Sequence, residues 1–156
     1  MSAQFADADA TFMRQALASV AEGVRLGHGG PFGACVVREG RAIAVAHNTV
    51  LRDRDPTAHA EMNALRAACR ALGTHDLSGG VIYATAEPCP MCLGAIAWAR
   101  LARGFYGVAR QTAAAAGFDD ARFHRGEGLP TFAGGLLEED CAALFAEWQR
   151  LGRPLY

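Results

Sequence analysis

Two cysteines three residues apart, Cys89 and Cys92, stand at the start of an expected helix. Residues at i and i+3 share a helical face, so both sulfurs can reach one ion. Pro90 suits the first turn, where a missing N–H costs nothing. The helix N-terminus also favours thiolate, the form that binds metal. Alone, the pair reads equally well as a redox couple or two buried thiols. His59 changes the balance, because one His and two Cys make three protein ligands, one short of a closed structural zinc site. Cys69 lies almost three turns along its own helix, Cys35 falls mid-strand and Cys141 sits in the terminal helix. None is placed to be a fourth ligand, and all three read as ordinary thiols. Two thiolates and a neutral imidazole give a formally neutral centre. It would hold one Zn2+ per subunit, with a position open to water or hydroxide.

Glu61 follows His59 by two residues. On an ideal helix that separation turns a side chain about 200° away. His59 is therefore expected at a frayed first turn, unless Glu61 reaches round the ion. Zinc lowers the pKa of bound water toward neutrality. A carboxylate beside it can take that proton as hydroxide attacks an amidine-like ring carbon, then protonate the ring nitrogen and the departing amine. The order H-x-E, then P-C-x-x-C, is the signature of zinc deaminases. Glu87, next to the cysteines, reads as a loop hydrogen-bonding group rather than the proton carrier.

These residues need a scaffold. Phe12, Ala16, Val20 and Val24 share one side of a helix expected from Asp9 to Leu26. Gly33 to Arg38 and Arg41 to Val50 read as strands of a hairpin turning at Glu39-Gly40. After a polar stretch from Arg52 to Pro56, a helix runs from Ala60 to Leu72. Strands are expected at Val81–Thr85, Phe105–Ala109 and Thr131–Leu136. Helices are expected at Met91–Ala102, Thr112–Ala116 and Leu137–Arg150, the last with Glu138 and Glu139 at its start. The order predicts one α/β domain over residues 1–156, a sheet of five strands with helices on both faces in three layers.

Composition narrows the chemistry. The 156 residues carry a formal net charge of −1, which speaks against a long polyanion such as a nucleic acid as the main ligand. All 15 basic residues are arginine, so a Walker-A loop, a lysine Schiff base and a lysine general base are excluded. No apolar run is long enough to cross a bilayer and the N-terminus does not read as a secretory signal. A cytoplasmic protein with five reduced cysteines is expected.

Four blocks carry a family resemblance: Asp55-Pro56-Thr57-Ala58-His59-Ala60-Glu61, the stretch Glu87-Pro88-Cys89-Pro90-Met91-Cys92-Leu93-Gly94-Ala95-Ile96, Pro31-Phe32-Gly33-Ala34 and Ala116-Gly117-Phe118-Asp119-Asp120. On these the chain resembles the cytidine-deaminase-like zinc deaminases over essentially its full length, and most closely the bacterial guanine deaminase branch. The resemblance implies a cytidine deaminase-like α/β/α sandwich around a five-stranded mixed sheet, and hydrolysis of guanine to xanthine and ammonia, a step of purine catabolism. It implies base contacts at Asn48, Phe32, Ala60, Trp98, Asp120 and the terminal Tyr156, with Asp120 favoured over Asp119. Without it, Asn48 is as readily a strand-end turn residue, and Phe32 and Trp98 read first as core. It further implies a homodimer in which residues 137–156 cover the partner's site. A tRNA adenosine deaminase, or an enzyme for another small base such as cytosine or an aminotriazine, is the alternative. The near-neutral charge weighs against tRNA. His28, His47, His75 and His124 read as surface or structural.

Overall fold

A computed structural model describes residues 5–155, so Tyr156 lies outside the described residues. Helix α1 (Asp7–Arg25) has Asp7 and Asp9 in its first turn and Arg25 in its last, each matched to the helix dipole. Strands β1 (Gly33–Arg38) and β2 (Arg41–His47) pair antiparallel. Glu39 and Gly40 between them both have positive φ, 51° and 71°, the two-residue turn whose twist suits a hairpin. A short helix, α2 (Val50–Asp53), precedes α3 (Ala60–Leu72), which Gly73 ends in the left-handed conformation. Then follow β3 (Val81–Ala86), α4 (Pro90–Trp98), β4 (Arg103–Val108), α5 (Arg110–Ala115), α6 (Ala121–His124) and α7 (Glu138–Leu151).

The sheet order is β2-β1-β3-β4, with β1 antiparallel to both neighbours and β3 parallel to β4. Successive side chains alternate between faces. Ala34, Val36 and Ile82 pack with Ala60, Ala64, Leu65 and Ala68 of α3. Cys35, Val37 and Tyr83 pack with Ala16 and Phe12 of α1. Both faces of β1 are therefore covered, which explains its unbroken apolar run. The expected three layers and mixed sheet are present.

The expected fifth strand is not. Residues 131–136 run as irregular chain, with Phe132 92% and Leu136 86% exposed. Pro130 cannot donate to a ladder, and Gly135 takes a φ of 89°. No described strand lies beside the segment, so the sheet has four strands. β2 also stops at His47 instead of continuing to Val50. There the backbone leaves the ladder: the Thr49 N–H donates to Ala58 O at 3.0 Å, and α2 begins. No described helix is long and apolar enough to cross a membrane.

Gly33 pairs with His47, and its N–H donates to Thr85 Oγ1 at 2.9 Å. The start of β1 and the ends of β2 and β3 thus meet at one end of the sheet. The chain leaves that end into α3 and α4.

Candidate metal centre

His59 and Cys89 occupy matching positions, the residue just before α3 and the residue just before α4. Both have extended backbone, with φ, ψ of −66°, 157° and −70°, 167°. This resolves the geometry of His59 and Glu61. His59 is not yet helical, so the 200° separation does not apply, and Glu61 at the second helical position can turn back toward it. Cys92 is the third residue of α4, after Pro90 at the first.

His59 Nδ1 lies 3.6 Å from Cys89 Sγ and 3.6 Å from Cys92 Sγ. A tetrahedral ion with Zn–S of about 2.3 Å and Zn–N of about 2.05 Å has an N···S edge of about 3.6 Å. The donor set therefore fits zinc in both ligand type and spacing. Among the described residues it is the only group of three or more His, Cys, Asp or Glu side chains so arranged. Cys35, Cys69 and Cys141 are elsewhere, as expected. The Cys92 thiol and the His59 ring beside it hold the Cys89 thiol below its ordinary range.

Glu61 is buried, 7% exposed. Burial pushes its carboxyl above the ordinary carboxylate range. A buried carboxyl at the rim of a three-donor centre can hold or release a proton there. Glu87 takes the loop role expected of it: its Oε2 accepts the Arg110 N–H at 3.0 Å, and its own N–H donates to Val108 O.

Next to the centre, Ala60 is fully buried and Asn48 is 5% exposed. Asn48 Oδ1 accepts the N–H of Val50 at 3.1 Å and of Gly30 at 3.3 Å, while its own N–H donates to Phe32 O at 2.9 Å. Only glycine fits at position 29, where a Cβ would overlap that Oδ1. No described group accepts from Asn48 Nδ2, which leaves two donors for a ligand. Phe32 meets Phe118 edge-on at 5.0 Å between ring centroids, so the Ala116–Asp120 block closes against the Gly30–Phe32 loop. Asp119 Oδ1 is spent on the Ala121 N–H at 2.9 Å. Asp120, by contrast, turns its carboxylate to His124 Nε2 at 3.0 Å.

Trp98 is not brought to this cluster. It ends α4, about 13 Å along the helix from Cys89, and is 68% exposed. Sequence reasoning missed several residues that hold the site. Asn63 Nδ2 donates to Thr49 Oγ1 at 2.9 Å and His47 O at 3.0 Å, tying α3 to the end of β2. It shares its side of α3 with Arg66 and Arg70, so its spacing gave no signal of this role. His124 and the contact between His28 and His47 gave none, and Phe118 stood out only as part of the Ala116–Asp120 block.

The cytidine and deoxycytidylate deaminase zinc-binding region matches residues 6–108. The chain is 49% identical to guanine deaminase of Bacillus subtilis over 115 residues, 74% of each protein. The crystal structure of guanine deaminase from that organism superposes with a TM-score of 0.86 at 40% identity, covering 94% of this chain and 97% of the other. A tRNA-specific adenosine deaminase of the same organism is 34% identical over 148 residues, 91% of this chain and 89% of that protein. The chain therefore belongs to the cytidine and deoxycytidylate deaminase family of zinc-dependent aminohydrolases.

Proposed function

We propose that the protein hydrolyses free guanine to xanthine and ammonia. The observation that carries this reading is the buried Glu61 carboxyl beside an open His59–Cys89–Cys92 donor set, in a chain 49% identical to a guanine deaminase. Zinc held by those three residues supplies Lewis acidity that lowers the pKa of water toward neutrality. Glu61 takes one proton of the attacking water and delivers it to the ring nitrogen, then carries the second, from the resulting hydroxyl, to the departing amine as the carbonyl forms. Asn48 Nδ2 donates to the base. The Asp120 carboxylate accepts ring and amino N–H groups, which guanine offers and adenine and cytosine present in another pattern. Ala60 and Phe32 form walls of the pocket. Tyr156 belongs to the same reading through the C-terminal segment of a second subunit.

Two exposed apolar faces support that dimer. The arm after Asp120 exposes Phe132, Leu136, Leu137, Leu144 and Phe145 by 67% to 92%. α4 exposes Leu93 by 48% and Trp98 by 68%. Exposed apolar faces mark protein–protein contacts, and one copy supplies both halves of such a contact. Residues 137–156 then cross to the partner within one 156-residue domain. Five unpaired cysteines suit the reducing cytoplasm, and the reaction a role in purine breakdown.

Ammonia release from guanine, adenine, cytosine, their nucleosides and aminotriazines tests the substrate. The similarity to tRNA-specific adenosine deaminases supports a second reading, conversion of adenosine in an anticodon stem-loop. Turnover of that substrate with guanine untouched would replace the first reading by the second.

A further inference from the structure

We propose that His124 is a positioning residue for substrate: its Nε2–H holds Asp120 Oδ2, leaving Oδ1 to meet the N–H edge of the base. This rests on the reading of Asp120 as a substrate-binding carboxylate. Asp120 precedes the single turn of α6, yet its side chain caps none of that helix's N–H groups. Its carboxylate is turned to His124 Nε2 at 3.0 Å, four residues on, and both side chains are only 20% exposed. The neighbouring Asp119 does the opposite, spending its carboxylate on the backbone turn.

A carboxylate that must accept from a planar base needs its plane fixed. The last side-chain torsion of aspartate is broad and roughly two-fold, so the backbone does not fix it. One hydrogen bond to Oδ2 does, and it also satisfies the oxygen that the base does not use. The support reaches the pocket through the same short segment. Phe118, two residues before Asp120, seats edge-on against Phe32, whose carbonyl accepts the Asn48 N–H at 2.9 Å. α6 thus completes one wall with its own internal brace. Nothing in this brace touches the zinc ligands or Glu61, so it acts on substrate binding and not on proton transfer.

Two isosteres test the inference. A glutamine amide nitrogen falls where histidine Nε2 lies, whereas asparagine reproduces only the Nδ1 position. In the zinc-loaded enzyme, steady-state ammonia release from guanine should show KM raised about tenfold or more in His124→Ala, the scale of removing a partner that orients a ligand, with kcat changed far less. His124→Gln should recover most of that loss and His124→Asn should not. In an Asp120→Ala background, His124→Ala should add nothing. If Asp120→Ala itself leaves KM unchanged, the substrate role of Asp120 is wrong and this inference falls with it. If Asp120→Ala raises KM but His124→Ala does not, or if glutamine and asparagine behave alike, only the role of His124 is overturned.

Discussion

His28 Nδ1 lies 2.9 Å from His47 Nε2, and the two rings stack at 5.2 Å with 21° between their planes. His47 Nδ1 is in turn 2.9 Å from Ser19 Oγ. Gly23 of α1 leaves room for the His47 ring, which any Cβ there would overlap. Burial lowers the His47 pKa, and the neighbouring His28 and Arg52 lower it further against the opposing pull of Glu22. A histidine whose folded pKa is depressed stabilises the fold above its unfolded pKa of about 6.5, and that stability is lost as pH falls toward the folded value. Urea unfolding between pH 7.5 and 5 should therefore show stability declining below about pH 6.5. His47→Gln should flatten the decline, and an unchanged slope in that variant would refute the assignment.

Glu61→Gln keeps the shape of the side chain and removes its proton chemistry. Ammonia release should fall about a hundredfold to ten-thousandfold, while elemental analysis still finds one zinc per chain. Retained turnover at full zinc content would remove Glu61 from the mechanism.

The donor set predicts metal-dependent stability. A metal that binds only the folded chain adds about 4 kcal/mol when its free concentration is a thousandfold above Kd. Calorimetry with and without a strong chelator should show a lower melting temperature on stripping, restored by zinc but not by magnesium, which prefers oxygen ligands. Cys89→Ser or His59→Ala should abolish the difference.

Leu144 and Phe145 of α7 are 72% and 73% exposed. On a monomer, an exposed-site substitution such as Phe145→Asp would change stability by less than about 0.5 kcal/mol. If α7 packs on a second copy, the variant should shift the mass measured by light scattering from two chains to one, and lose guanine turnover with it. A wild-type mass of one chain would exclude the swap.

Where local rules and tertiary context agree, the fold was readable. Pro56 and Thr57 before α3 and Gly73 after it set both ends of that helix, and Glu39-Gly40 set the hairpin. The metal ligands were readable because a short spacing and two helix starts place them. Thr131–Leu136 failed because its apolar residues suggested a strand without supplying a neighbour to pair with. α2 and α6, with four residues each, are too short for any period to show. The pair His28–His47 depends on where chain segments meet, which residue type alone does not report, and the i,i+4 pair Asp120–His124 needs α6, whose single turn showed no period.

His59 and Cys89 stand 30 residues apart and begin two different helices. An ion joining them closes the intervening chain into a loop, as a disulfide would. By the chain-entropy relation for a loop of that length, such a link removes about 3–4 kcal/mol of freedom from the unfolded ensemble. The segment enclosed carries Glu61 and all of α3 and β3. Once loaded, the centre would be a removable cross-link as well as a reagent, so stripping zinc should shorten the protein's survival against proteolysis as well as its turnover.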